Sequence, residues 1–181
     1  MLYDIYNIKN YNKSLTIYKI KINNMKTSSE LINHCENALK ENWQYVYGAK
    51  GKIYTKEEIK KLQERWGAEY VLDNDIETKG GKICCDCSGL ISSLTGKIRN
   101  SQGYFDTAIE RKDINDRNAS MKGWGVWMKG HIGIYDGNDG YYALDNSKVN
   151  IVHNPIKPNS FKLRNRQFLF FLINIFFLML K

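Results

Sequence analysis

Ile83-Cys84-Cys85-Asp86-Cys87-Ser88-Gly89-Leu90 puts a cysteine at the entry to a helix. Asp86 is a good N-cap, and Leu90, Ile91 and Leu94 recur at helical spacing to form an apolar face. A thiol in a first helical turn lies against the positive end of the helix dipole and its unpaired N–H groups. Both favour thiolate over thiol. Downstream, Gly130-His131-Ile132-Gly133-Ile134-Tyr135 alternates as a half-buried strand does, and the turn-rich Asp136-Gly137-Asn138-Asp139-Gly140 follows it. A helix-borne cysteine and a strand-borne histidine are the two halves of a thiolate–imidazole pair. The expected chemistry is therefore acyl transfer, with Cys87 as nucleophile and His131 moving the proton.

Three segments carry a family resemblance. Asp86-Cys87-Ser88-Gly89-Leu90 and Gly130-His131-Ile132-Gly133-Ile134-Tyr135 resemble the nucleophile and histidine motifs of the NlpC family of papain-like cell-wall cysteine peptidases. Trp43-Gln44-Tyr45-Val46-Tyr47-Gly48 resembles the aromatic segment that precedes the cysteine in that family, and the three occur in the family's order across roughly residues 27–161. The resemblance implies a peptidoglycan hydrolase cutting a stem-peptide amide, commonly the γ-D-glutamyl–diamino-acid bond. It implies no cofactor, and it places Tyr45, Asp86 and Ser88 beside the substrate. Two rival classes stay open. One is an amidase cutting the glycan–peptide link, or another cysteine–histidine acyl-transfer enzyme. The other is a wall-binding module whose site has decayed. The chain departs from the family at its third catalytic residue, for the expected position falls near Ala143.

Strand parity supplies a candidate for that third residue. His131, Gly133 and Tyr135 share one face because side chains alternate along a strand. A loop of Asn138-Asp139-Gly140, with glycine left-handed, would pair Gly137 with Tyr141; a loop from Asp136 to Gly140 would pair Tyr135 with Tyr141. Either register puts Asp145 on the face of His131, and the longer loop puts it directly opposite. A two-residue turn would present Asn146 instead. The shorter glycine-ended loop is the favoured one, with Asp145 the expected acceptor for His131 and Asn146 the reserve. For Asp86 the competing roles are helix cap and receptor for a substrate amine, with capping slightly ahead.

Length and composition allow one domain. The chain has 181 residues, 43% of them hydrophobic, with a formal net charge of +8. That charge favours polyanionic partners. The lysines are scattered and no nucleic-acid-binding motif is present, so a bacterial wall is favoured over nucleic acid. Cys35, Cys84, Cys85 and Cys87 do not form a disulfide framework, since three of them lie within four residues of one another. Cys84 and Cys87 have Cys-x-x-Cys spacing, but no second tight pair completes a zinc site, and no metal is expected. A monomer is expected.

Along the chain, residues 1–24 read as an N-terminal extension holding one loose strand pattern, 25–161 as the catalytic domain, and 162–181 as a tail. The opening residues lack an apolar core of the secretory type. The expectation is synthesis in the cytoplasm, action at the wall, and release by a holin-like route. Thr27-Ser28-Ser29-Glu30 and Thr55-Lys56-Glu57-Glu58 are capping boxes that open helices. Residues 67–82 read as loop, Tyr104–Glu110 as a short helical piece, and Asp113–Gly125 as surface loop. Strands are expected at Val126–Met128, His131–Asp136, Tyr141–Asp145 and Val149–Val152. Helices first and antiparallel strands second predicts an α+β, papain-like fold with the nucleophile helix packed on the sheet. The apolar run Phe168–Leu180 has 13 residues against the ~20 of a membrane span. It reads as a membrane-contacting anchor, as sequence from a shifted frame, or as a final core strand or helix.

Overall fold

The computed structural model describes residues 26–156 together with the backbone of Leu169–Phe171. The expected strand within 1–24 and the remainder of the tail lie outside the described residues. Helix α1 (Ser28–Lys40) opens on a complete capping box, in which Glu30 N–H donates to Thr27 Oγ1 and Thr27 N–H donates to Glu30. Its apolar stripe buries Leu31, Ile32, Cys35 and Ala38. Helix α2 (Lys56–Trp66) repeats the device with Thr55 and Glu58. Each cap is worth about 1 kcal/mol.

Residues 67–82 differ from the loop expected. They contain a helix, α3 (Asp73–Lys79), and the start of a strand, β3 (Lys82–Cys85). The Asp and Asn residues that suggest a loop serve the helix start instead, and Asp75 Oδ2 accepts the Leu72 N–H at 3.0 Å. Strand β3 lies between β1 (Gln44–Tyr45), to which it is parallel, and β2 (Lys50–Tyr54), to which it is antiparallel. This small sheet leads straight into Asp86 and Cys87. Helix α4 (Gly89–Thr95) follows and closes on Gly96, whose φ of 69° is the left-handed turn a glycine adopts freely. Helix α5 (Ser101–Asp106) sits earlier than the Tyr104–Glu110 piece expected, because Asn100 caps it by accepting from Gly103 N–H.

The second sheet is built from β4 (Arg111–Asp113), β5 (Gly125–Met128), β6 (His131–Tyr135), β7 (Gly140–Leu144), β8 (Ile151–Pro155) and β9 (Leu169–Phe171). Its order is β4-β9-β5-β6-β7-β8, with every neighbour antiparallel. Two 3₁₀ turns, Ile114–Asp116 and Ala119–Met121, interrupt the surface loop expected between β4 and β5. Leu90 and Ile91 of α4 share one core with Leu31 and Cys35 of α1 and with Ile132, Ile134 and Leu144 of the sheet. The fold is α+β, with the cysteine helix packed on an antiparallel sheet as expected.

The tail takes part in that sheet. Leu169–Phe171 runs between β4 and β5 and pairs with both. Of the three readings of the apolar run, the pairing favours the core strand for these residues. Truncation after Arg166 removes the strand that joins β4 to β5, so it is expected to lower the melting temperature by about 5 °C or more. Improved solubility at an unchanged melting temperature would show that the strand contributes nothing.

Candidate active site

Asp86 organises the turn that carries the cysteine. Its Oδ1 accepts Gly89 N–H at 2.6 Å and Ser88 Oγ–H at 2.8 Å. Its Oδ2 accepts Gly48 N–H at 3.2 Å and the Lys50 ammonium at 2.6 Å, and Lys50 also donates to Ser88 Oγ at 3.0 Å. The Asp86 carboxylate thus holds the first N–H of the helix, although Ser88 rather than Asp86 directly precedes it. Gly89 is required by close approach, since a Cβ there would lie 2.5 Å from the Ala49 carbonyl and 2.7 Å from Cys85 Sγ. Asp86 and Ser88, expected beside the substrate, are both buried and tied to Lys50. Nothing in the sequence distinguishes Lys50 from the other scattered lysines.

Cys87 is the one partly exposed cysteine among the four, for Cys35, Cys84 and Cys85 are fully buried. Its thiol lies near the Ile132 N–H of β6, which favours the thiolate. The lowered pKa expected from helix position is not what the site provides. Burial first, and then the Asp86 carboxylate, push the thiol up to about 12. The Ile132 N–H, the Lys50 ammonium and the Ser88 N–H pull the other way but do not prevail. The helix proper starts at Gly89, two residues past the cysteine, which weakens the dipole effect there. Cys84 is pushed up less, to about 11, so Cys87 is set apart by access rather than by acidity.

His131 begins β6. The observed register pairs Tyr135 with Tyr141 and Ile134 with Tyr142, which is the longer loop. The favoured shorter one is excluded: Asp136 N–H bonds back to the Gly140 carbonyl, and the left-handed positions are Gly137 and Asp139, not Gly140. Continuing that register sets Asp145 opposite His131, and Asp145 Oδ1 stands 3.5 Å from His131 Nε2. The Nε2 atom is buried and has no hydrogen-bond partner among the described residues. Burial lowers the imidazole below the usual histidine value, and the Asp145 carboxylate only partly offsets it. Asn146 does not face His131. Its Oδ1 accepts from Lys148 and Val149 N–H to close the turn, and its Nδ2 donates to Asp145 Oδ2 at 3.4 Å.

A cleft of about 490 Å³ opens at Cys87, lined by Tyr45, Tyr47, Lys50, Asp86, Arg65 and Arg99 among others. Burial, and then the nearness of Cys87 and Asp86, push the Tyr45 phenol well above its ordinary range, so it stays protonated beside the cysteine. Among the described residues no group of three His, Cys, Asp or Glu side chains is placed to hold a metal ion.

A buried cation ties β1, which lines this cleft through Tyr45, to the loop after β7. Lys79 Nζ, at the end of α3, lies 2.9 Å from Asp75 Oδ1 and donates to the Tyr45 carbonyl at 2.6 Å and the Ser147 carbonyl at 2.9 Å. Ser147 Oγ in turn donates to Asp75. The cluster binds β1, which carries Tyr45, to the loop that follows Asp145. Lys79→Met would leave Asp75 charged and buried and is expected to cost about 3–5 kcal/mol, read as a lower denaturant midpoint at unchanged m-value. The double variant Lys79→Met/Asp75→Leu should recover much of that loss; no recovery would mean the pair is not the source of the cost.

No family model matches the chain. No curated protein matches it either. Among solved structures it is similar to the peptidoglycan hydrolase RipB from Mycobacterium tuberculosis, at 15% identity over 82% of this chain and 69% of that one, with a TM-score of 0.47.

Proposed function

We propose that the chain is a thiol hydrolase of peptidoglycan that cleaves a stem-peptide amide, with Cys87 as nucleophile, His131 as the proton carrier and Asp145 as the group that orients it. The observation that carries the proposal is the convergence of three elements: the Cys87 sulfur lies against β6, His131 heads that strand, and Asp145 stands 3.5 Å from its Nε2. A partly exposed cysteine in a cleft, near the strand that an imidazole heads, with a carboxylate 3.5 Å from that imidazole, is suited to nucleophilic acyl transfer.

The resting protonation states set the first step. With the thiol pushed up and the imidazole pushed down, the pair rests as neutral thiol and neutral imidazole. His131 then acts as general base: it takes the thiol proton as sulfur bonds to the carbonyl carbon. Since Nε2 is turned toward Asp145, Nδ1 is the nitrogen left for the thiol. The Cys87 N–H is the donor assigned to the oxyanion in this mechanism, since Gly89 N–H is committed to Asp86. His131 next gives its proton to the leaving amine as the C–N bond breaks, which leaves a thioester on Cys87. Water, deprotonated by His131, adds to the thioester and releases the acid and the thiol. The bond assigned to this chemistry is the γ-D-glutamyl–diamino-acid amide implied by the motif resemblance, and the site of action is the wall.

This protonation state has a measurable sign. A thiol raised toward 12 ionises only in alkali, so alkylation of Cys87 by iodoacetamide should climb steadily with pH from about 7 to about 10. A preformed ion pair would instead give a rate that is flat across that range. Cys87 should still be the first cysteine modified, because the other three are fully buried. First modification at Cys84 would contradict the assignment. For the activity itself, release of soluble dye from labelled, purified wall is the direct test. Folded protein that releases no label from walls of differing stem chemistry would set the proposal aside.

A further inference from the structure

The cleft beside Cys87 is lined by three cations, Lys50, Arg65 and Arg99, and by one carboxylate, Asp86. That carboxylate is already neutralised, since Lys50 is held against it at 2.6 Å. Arg65 and Arg99 have no ion-pair partner among the described residues. Arg65 is exposed, with its guanidinium 4.9 Å from the centre of the Trp66 ring. Arg99 is half-buried over the face of Tyr104, and its Nη1 is enclosed with no hydrogen-bond partner among the described residues. An enclosed guanidinium nitrogen without an acceptor is costly, and native structures seldom leave one so. Among the described residues a free amine finds no open carboxylate in this cleft, while a carboxylate finds the guanidinium groups of Arg65 and Arg99, neither of them in an ion pair. Arginine is the side chain that matches a carboxylate with paired hydrogen bonds.

We infer that Arg99, assisted by Arg65, is a carboxylate receptor, and that the cleft selects stem peptides bearing a free carboxylate near the scissile amide over the same peptides with that carboxylate amidated. The inference rests on reading this cleft as the substrate cleft of a thiol hydrolase. Lys50 has a separate role, for by occupying Asp86 it neutralises the one carboxylate that lines the cleft among the described residues. The cleft is thereby left with a net positive lining.

The test uses the full chain carrying Cys87→Ala, so that binding is read without turnover. Two synthetic stem peptides are compared by calorimetry, one with free carboxylates and one with the same groups as carboxamides. The carboxylate form should bind about tenfold tighter or more, with the gap narrowing as salt is raised. Adding Arg99→Met should close the gap, while Arg99→Lys, which keeps the charge and loses the fork, should retain part of it. Equal binding of the two peptides, failure of the carboxylate peptide to bind, or a gap that persists in Arg99→Met would overturn the inference. If Arg99→Met melts early, the Arg99→Lys variant carries the comparison alone, and an undiminished gap there would count against the fork. Incubating both peptides with the unsubstituted chain separates the two readings. Discrimination in binding with no cleavage of either peptide would leave the carboxylate receptor standing and remove the hydrolase.

Discussion

Cys87→Ala is expected to reduce release of soluble fragments from purified wall by at least about 10⁵-fold, to the uncatalysed background. Covalent catalysis through sulfur has no substitute in the cleft. Ser88 is buried, and its hydroxyl is committed to Asp86 and Lys50. The alanine variant should fold normally, because the thiol contributes little to the core. Cys84→Ser and Cys85→Ser are the informative controls. Cys84 Sγ points at the Lys79 and Lys82 carbonyls at 3.7 and 3.5 Å, which a hydroxyl can also reach. Cys85 is buried under Gly89 and does not line the cleft. Both variants should retain most of the activity at some cost in stability. A Cys84→Ser protein as inactive as Cys87→Ala would show that the nucleophile is misassigned.

Asp145→Ala is expected to lower turnover by about 10²–10³-fold with little loss of stability. The carboxylate is about one-third exposed, so its removal leaves no cavity and no orphaned partner apart from Asn146. On the proposed mechanism, what is lost is the charge 3.5 Å from His131 Nε2 that stabilises its imidazolium during turnover. The pH profile should carry the signature. Asp145 raises the His131 pKa and burial lowers it. Without the carboxylate the imidazole protonates only at lower pH, so the acid limb of the activity profile should move to lower pH as the plateau falls. Asn146→Ala should be milder, a several-fold loss, since Asn146 closes a turn and touches Asp145 only at 3.4 Å. The reverse ranking of the two variants would mean that Asp145 does not orient the histidine.

Local rules carry much of the fold. Both capping boxes form because each satisfies orphan helix N–H groups within four residues, a contact that sequence spacing specifies by itself. The alternation in His131–Tyr135 and Gly140–Leu144 fixes faces, and parity then brings Asp145 to His131 under either even register. Loop length is less legible. Gly140 has the identity of a left-handed turn residue, whereas Asp136 accepts N–H groups from Asn138 and Gly140 and so supports a wider turn.

What stays illegible depends on contacts between distant segments. Helix α3 has Leu72 rather than a polar residue before it, and it is anchored by a lysine that is almost fully buried, which composition marks as surface. Lys50 meets Asp86 only once β2 lies beside β3. Gly133 illustrates the same limit: a Cβ there would lie 2.8 Å from the Tyr142 carbonyl, a conflict visible only after β6 and β7 pair. The raised thiol likewise follows from burial beneath the sheet and from the Asp86 charge, neither of which motif spacing encodes.

The most direct test of the central claim is mass spectrometry of the muropeptides released when the full chain digests purified peptidoglycan, run beside the Cys87→Ala variant. New fragments ending in a free γ-glutamyl carboxylate are expected, paired with fragments that begin with the diamino acid's amine, and neither in the Cys87→Ala digest. Digestion that frees whole stem peptides from the glycan would contradict the bond assigned, and identical fragments from the Cys87→Ala variant would contradict the nucleophile.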